Sequence, residues 1–387
     1  AFARPRRYIY VTPGLLALAN SEAELAAVIG HETGHVIARH TAKRIEQSNV
    51  IGIGSVLAGI LLGSPQLGNL AGTAGSLYLL NYSRDQEFEA DRLGVEYIAR
   101  AGYDPYAEAD FLATMGAQGA LASRMSGRAA PPEFLSTHPA SVNRVREAIE
   151  EAEASGVPVS SAPRKRAEYL NAIDGMIYGD GPSQGYVRGR TFSHPELRFT
   201  FTAPNGYRLQ NSPSAVVARG PGNISLQLAG GKSSASPQSY VQNELSQSLK
   251  VQLGSIQTLT VNGKPAATGA TFANTNSGRA FVRAIAIKWN ASSYYTFLLI
   301  APANAQSDGE SALTQTVNTF RTLSASEANA LRPRRIDVVT VRAGDTVQSL
   351  GQRMAVDELK AEQFRVLNGL DAGEGLRAGD RVKLVVN

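Results

Sequence analysis

At 387 residues, 43% hydrophobic and 18% charged, the chain is long enough for two or three domains and too apolar to be disordered. It has no cysteine, which excludes disulfides, a thiol nucleophile and thiolate ligands, so any metal must be held by His, Asp or Glu. The formal charge of +5 is uneven: 13 basic against 17 acidic residues over 1–163, 18 against 8 over 164–336, and 7 against 8 over 337–387.

The opening AFARPRRYIYVTPGLL lacks signal-peptide architecture, so the expectation is either a leader already removed or a trimmed sequence. YIYV at 8–11 alternates and is rich in β-formers, which predicts a strand. In NSEAEL, Ser21 can cap a helix and Glu24 completes a capping box, predicting a helix over about 22–46. From Gln47 to Ser83 there is no charged residue. Its 14-residue apolar run VIGIGSVLAGILLG is short of the ~20 residues a membrane span needs, so a buried helix is expected, with membrane association left open. SRDQEFEADRLGVEYIARAGYDP reads as a helix stopped by Gly102 and Pro105, and a loop then leads from PPEFLSTHP into a short amphipathic helix.

From about 192 the pattern changes. LRFTFTAP, SAVVARG, ISLQLAG, FVRAIAIKWN and YYTFLLIAP predict strands, SPQSYVQNELSQSL a helical interruption and SALTQTVNTFRTLS a closing helix, an antiparallel α+β arrangement. The basic clusters PRKR (163–166) and RPRR (332–335) look like linkers carrying solvated charge, or contacts with an anionic envelope surface. No nucleic-acid motif accompanies them, so nucleic acid is not expected as a partner.

HETGH, at 31–35 on the capped helix, carries the chemistry. Residues four apart share a helix face, so His31 and His35 can grip one metal, while Glu32 lies beside them within reach of a water at that metal. Gly30 and Gly34 allow close approach of another element. A catalytic zinc takes three protein ligands and keeps a fourth position open. Glu87 and Asp91 are four apart on the next helix; one carboxylate can bind the metal while the other orients a ligand histidine. A solvated acidic helix start is the alternative. His40, nine residues from His31, is half a turn out of phase and expected to face elsewhere. Tyr82 and Asn81 are candidates to line the cleft, and His194 is read as a turn residue.

The run YIYVTPGLL…SEAELAAVIGHETGHVIARH…SRDQEFEADRLG…STHPASVNR resembles the HtpX/CAAX-protease family of zinc peptidases, metallopeptidase family 48, in its periplasmic bacterial branch. The resemblance covers about 1–150. It implies one Zn²⁺ per chain on His31, His35 and Glu87, Glu32 as catalytic base, Asp91 as the acid behind the ligands, and His138 and Arg144 near the reacting groups. It also implies a helical segment before the strand at 8–11, so the domain is expected to be N-terminally incomplete. His138 has two open roles: donating a hydrogen bond to the developing oxyanion, the favoured one, supported by Arg144, or swinging in as a fourth ligand that holds the enzyme off. Tyr8–Val11 offers an edge strand to an extended substrate.

VVTVRAGDTVQSLGQRMAVDELKAEQFRVLNGLDAGEGLRAGDRVKLVV resembles a LysM module, which implies βααβ order and a peptidoglycan glycan held by Gly344, Asp345, Thr346, Asn368, Gly369 and Leu370. A small structural βααβ domain is the alternative. The stretch of about 164–330 resembles PsbP/Mog1-like α+β domains and shows no catalytic constellation.

The expectation is a multidomain α+β protein: a mainly helical zincin-type protease domain at 1–160, an α+β antiparallel-sheet domain at 161–332, and a βααβ LysM domain at 337–387 whose removal leaves proteolysis intact. Its function would be zinc-dependent endopeptidase action on misfolded or unassembled proteins in the bacterial cell envelope, on the periplasmic side. Partners would be protein substrates, peptidoglycan and outer-membrane assembly machinery. The alternatives are a self-inhibited scaffold or chaperone-like adaptor, and a cell-wall hydrolase.

Overall fold

The architecture comes from a computed structural model that describes residues 1–4, 8–40, 43, 82–126, 138, 141–275 and 278–387. The uncharged stretch at 47–81 lies outside the described residues, as do Asn81 and the prolines flanking His138. Among the described residues, no helix is long and apolar enough to cross a membrane.

The chain divides into two units. The first holds Ala1–Val50, Leu77–Gly179 and Pro333–Asn387; the second contains Asp180–Arg332. In the first, β1 (Phe2–Arg4) and β2 (Tyr8–Tyr10) form a two-stranded antiparallel hairpin, in which the expected edge strand β2 is paired on one side by β1. Helix α1 (Pro13–Leu18) leads into α2 (Glu22–Ile37). Ser21 caps α2, its Oγ accepting from the Glu24 N–H at 3.2 Å. The Glu24 carboxylate turns back one residue further than a capping box requires and accepts from the Asn20 N–H at 2.8 Å.

Helix α2 ends at Ile37, well short of the expected 46, because Arg39 takes a left-handed conformation with φ +54°. Helix α3 (Arg84–Arg100) starts with a full capping box between Ser83 and Gln86 and stops before Gly102, at φ +80°. The contact of α2 with α3 is backbone on backbone. A Cβ at Gly30 would sit 3.1 Å from the Gly94 Cα, and one at Gly34 would sit 3.0 Å from the Ala90 carbonyl oxygen. This approach brings the His31/His35 face of α2 onto the Glu87/Asp91 face of α3. Helices α4 (Ala107–Ser126) and α5 (Val142–Ala154) pack behind, and α6 (Arg166–Ile173) closes this part of the unit.

The second unit is antiparallel throughout. Strands β3 (Tyr186–Arg188), β4 (Thr191–His194) and β5 (Phe199–Thr202) build a four-stranded sheet with β13 (Arg321–Thr322), in the order β13-β5-β4-β3. The larger sheet has the order β6-β7-β8-β12-β11-β10-β9. Its members are β6 (Arg208–Asn211), β7 (Ala215–Arg219), β8 (Ser225–Lys232), β9 (Gly254–Val261), β10 (Lys264–Thr275), β11 (Gly278–Asn290) and β12 (Ser293–Pro302). Strand β11 is apolar on both sides because the sheet is covered on both. Phe281, Ile285 and Ile287 face a core shared with the small sheet and helix α7 (Gln306–Asn318), while Val282, Ala284 and Ala286 face the helical segment of 237–249. A short helix, α8 (Ala325–Ala330), follows β13.

The C-terminal piece runs β14 (Arg335–Thr340), α9 (Val347–Gln352), α10 (Lys360–Leu367) and β15 (Arg381–Val386), with β14 antiparallel to β15. This is the expected βααβ order. Independence is not found: Phe364 and Leu384 share one core with Leu15, Val28, Phe111 and Leu170 of the first unit. Lys383 Nζ, fully buried, donates to the carbonyls of Ala17 and Ala19 at 2.6 and 2.7 Å. The physical reason is in RVKLVV, buried across its four middle residues, which leaves β15 no solvated face. The PRKR cluster is likewise not free charge. Arg164 binds Asp104 and Asp110, Lys165 binds Glu22, and Arg166 donates to the Asn20 carbonyl.

Candidate metal centre

Four side chains converge where α2 meets α3. The Nε2 atoms of His31 and His35 lie 3.0 Å apart. A Glu87 oxygen is 3.4 Å from His35 Nε2, and the other is 3.8 Å from His31 Nε2. His138 Nδ1 stands 3.0 Å from a Glu87 oxygen and 3.3 Å from His31 Nε2. One ligand atom from each of the four fits within 4.8 Å of the others, and all four residues are buried.

The proton arrangement points the lone pairs inward. His31 Nδ1–H donates to Asp91 Oδ1 at 2.8 Å, which leaves Nε2 as the acceptor facing the cluster. Lone pairs crowded in this way repel unless a cation or a proton sits among them. Burial opposes a charge on His31, but the Asp91 bond and the Asp91 and Glu87 charges outweigh it and raise its pKa to about 9. The field that would keep a proton there is the field that would hold a divalent cation. Burial, with the neighbouring His31, pulls His35 down to about 3. Burial also works against the Glu87 carboxylate, yet its bonds to His138 and His35 hold it well below the usual range. The donor set therefore fits a metal such as zinc, borne by nitrogen and oxygen without sulfur.

Arg144, at the start of α5, binds Asp91 through Nε and a terminal nitrogen and reaches Glu87 with its other terminal nitrogen at 2.8 Å. It joins the ligand carboxylate to the orienting one, which makes it a positioning group. Glu32 is buried on α2, its Oε1 3.8 Å from His138 Nε2. A recess of about 30 Å³ beside His31 and Glu32 is walled by Leu15, Val28, Phe111, Leu112 and Met115.

Tyr82, a candidate to line the cleft, stacks on the His35 ring, centroids 3.8 Å apart and planes 18° apart. Two members of the site were not placed by sequence reasoning. Glu108 is buried against this cluster, and burial, then the Asp91 charge, pushes its carboxyl up to about 8. His40, expected to face elsewhere, is fully buried with Nδ1 2.8 Å from His35 Nδ1. The only sequence signal for it was the third histidine in HETGHVIARH; the left-handed Arg39 that turns it back could not be read from helical phase.

Of the residues singled out for glycan, Gly344 and Thr346 are exposed; Asp345 accepts from the Arg342 N–H and Thr346 caps α9. Asn368 is buried, its amide donating to the carbonyls of Phe364 and Lys383 and its oxygen accepting from the Lys383 N–H. Asn368, Gly369 and Leu370 line a cleft of about 660 Å³ with Asn20, Thr114, Arg166 and Arg381.

A buried His/His/Glu donor set with a second glutamate beside it, on two closely packed helices, defines a metal-dependent hydrolase centre. Residues 1–152 match the sequence profile of Peptidase family M48, and this part of the chain is a domain of that metallopeptidase family. The chain is 33% identical over 161 residues to the "Beta-barrel assembly-enhancing protease" of Escherichia coli (strain K12), covering 38% of this chain and 31% of that protein. It is 32% identical over 160 residues to the protein of the same name in Yersinia pestis, covering 38% and 31%. Against the "Mitochondrial metalloendopeptidase OMA1" of Schizosaccharomyces pombe it is 37% identical over 152 residues, covering 39% and 42%. The match spans about a third of the length of the first of these relatives. Among solved structures, cyanobacterial PsbP from Synechocystis aligns at 15% identity and a TM-score of 0.28, covering 38% of this chain and 98% of that one, a likeness too low to carry an argument.

Proposed function

We propose that the chain is a zinc-dependent endopeptidase of the bacterial cell envelope, acting on misfolded or unassembled proteins on the periplasmic side. The observation that carries the reading is the convergence of His31, His35 and Glu87 with Glu32 on the adjacent helix position. The relatives named for β-barrel assembly support the envelope setting and outer-membrane assembly machinery as the partner.

His31, His35 and Glu87 would hold the zinc, which supplies Lewis acidity toward the scissile carbonyl and toward a water. Glu32 takes the proton of the attacking water and passes it to the leaving amine. Asp91 fixes the tautomer of His31, and Arg144 fixes Asp91. The apolar wall of Leu15, Val28 and Phe111 keeps the Glu32 side of the site dry.

His138 stands within the donor set, where a fourth ligand would close the position a water needs. His138 as fourth ligand would make this geometry a resting, self-inhibited state, and activity would require His138 to leave. This favours the fourth-ligand role over the oxyanion role for the geometry described. The C-terminal βααβ module is proposed to meet peptidoglycan through its exposed 344–346 loop.

Cleavage of an unfolded protein such as casein by the wild type, and its loss in Glu32→Gln with metal retained, is the expected result. Metal-loaded wild type that cleaves no protein would favour the scaffold reading, and release of muropeptides from purified sacculi would favour cell-wall hydrolysis.

A further inference from the structure

We propose that His40 and Glu89 are positioning residues for His35, joined to it as a relay in which His35 Nδ1–H donates to His40 Nδ1 and His40 Nε2–H donates to the Glu89 carboxylate. The inference rests on the metallopeptidase reading above and deepens it, because it says how the second ligand histidine is aimed.

A metal on His35 Nε2 would leave little choice of protons. With that nitrogen's lone pair given to the metal, the ring proton must sit on Nδ1. The partner at 2.8 Å from that nitrogen is His40 Nδ1, which must then be the acceptor. An imidazole that accepts at Nδ1 carries its proton on Nε2, and His40 Nε2 lies 3.1 Å from Glu89 Oε2. With the metal bound, this arrangement satisfies each of these ring nitrogens, and it ends on a carboxylate.

The backbone is built to allow it. On a continued α-helix, five residues after His35, the His40 ring would not return to the same face. The helix stops at Ile37, and Arg39 at φ +54° folds the chain back. The His40 ring is thereby buried beside His35, its centroid 5.0 Å away at 71°, while Tyr82 stacks on the His35 ring.

The two ligand histidines are thus treated alike by one helix. Asp91 of α3 binds His31 directly, and Glu89 of the same helix reaches His35 through one intervening imidazole. A carboxylate behind a ligand histidine fixes the ring's tautomer and raises its strength as a ligand. The Glu89 side chain is 45% exposed, so the relay has its outer end at the surface and its inner end at the metal position.

The test measures zinc affinity of the full chain by competition with a chromophoric chelator. His40→Ala should bind zinc about 10–100-fold more weakly than wild type, the range for loss of such a partner. His40→Asn, whose amide oxygen can take the place of Nδ1, should recover most of that loss. Glu89→Gln, a surface change that leaves packing intact, should weaken binding a few-fold and shift the ¹⁵N resonances of the His35 ring. Wild-type affinity in both His40→Ala and Glu89→Gln overturns the relay and leaves the peptidase reading standing. Equal losses in His40→Ala and His40→Asn with no effect of Glu89→Gln overturn it in favour of simple packing. If His40→Ala does not fold, the His40→Asn and Glu89→Gln affinities decide. A wild type that binds no zinc overturns the peptidase reading, and the relay with it.

Discussion

Arg144 grips both oxygens of Asp91, with Nε 2.6 Å from Oδ2 and a terminal nitrogen 2.6 Å from Oδ1. Both residues are buried, and the arginine's bonds outweigh the burial that works against the Asp91 charge, holding its carboxyl below the ordinary range. Arg144→Ala removes the guanidinium that bonds both buried carboxylates, leaving Asp91 to His31 and Glu87 to His138 and His35, and losses of a buried ion-pair partner run to about 3–5 kcal/mol. The expected outcome is a melting temperature many degrees lower and weaker zinc binding through a loosened His31. Arg144→Lys keeps the charge but not the fork and should recover only part. An Arg144→Ala variant that melts with wild type would remove the arginine from this network.

Glu32→Gln tests the base. The amide keeps size and hydrogen bonding and loses the ability to take a proton. Since Glu32 is outside the His31, His35, Glu87 set, zinc content should stay at wild-type level while peptide hydrolysis falls at least ~100-fold. Zinc loss in this variant would mean that Glu32 is a ligand.

His138 separates two mechanisms in one assay. Its Nδ1 sits 3.3 Å from His31 Nε2 and 3.0 Å from Glu87, the place of a fourth ligand. His138→Ala should keep zinc on the three remaining ligands and raise basal proteolysis. A fall of roughly 100–1000-fold with zinc unchanged would instead assign His138 to the oxyanion.

Much of this centre was legible because helical spacing is a geometric constraint. His31 and His35, and again Glu87 and Asp91, are one turn apart, and both helices carry side-chain caps that sequence displays. What escaped depends on contacts that no local period encodes. His40 turns on one left-handed residue, and Glu108 becomes part of the site only because α4 packs behind His31. In the second unit, β9 and β10 were missed: GSIQTLTV holds β-formers but has only its last residue buried, and KPAATGATFANT is rich in Ala, Gly and Asn. They are strands because β11 offers a long partner to β10, paired from Ala266 to Thr275, and β10 in turn pairs with β9. The C-terminal piece was recognised as βααβ, but its dependence on the catalytic domain is written in tertiary contacts alone.

That dependence gives the last prediction. Removing 337–387 strips Phe364 and Leu384 from a core shared with Leu15, Val28 and Phe111, two of which also wall the recess beside Glu32 and the third of which does so from α4. The truncated chain should therefore lose zinc binding and proteolysis along with cooperative melting, contrary to the behaviour of an independent module. Phe364→Ala should cost about 3–5 kcal/mol by itself. The joint also has a pH signature. Burial, opposed by the Glu24 charge, pulls Lys383 from 10.5 down to about 7. Between those values the unfolded chain holds a proton that the folded chain has released, so stability rises with pH, by up to ~1.4 kcal/mol per unit. Below about 7 the penalty is present in full. Urea midpoints measured from pH 7 to 9.5 should climb for wild type relative to Lys383→Met, which has no proton to lose there. Parallel curves would show that Lys383 is solvated and that the module does not close on the carbonyls of Ala17 and Ala19.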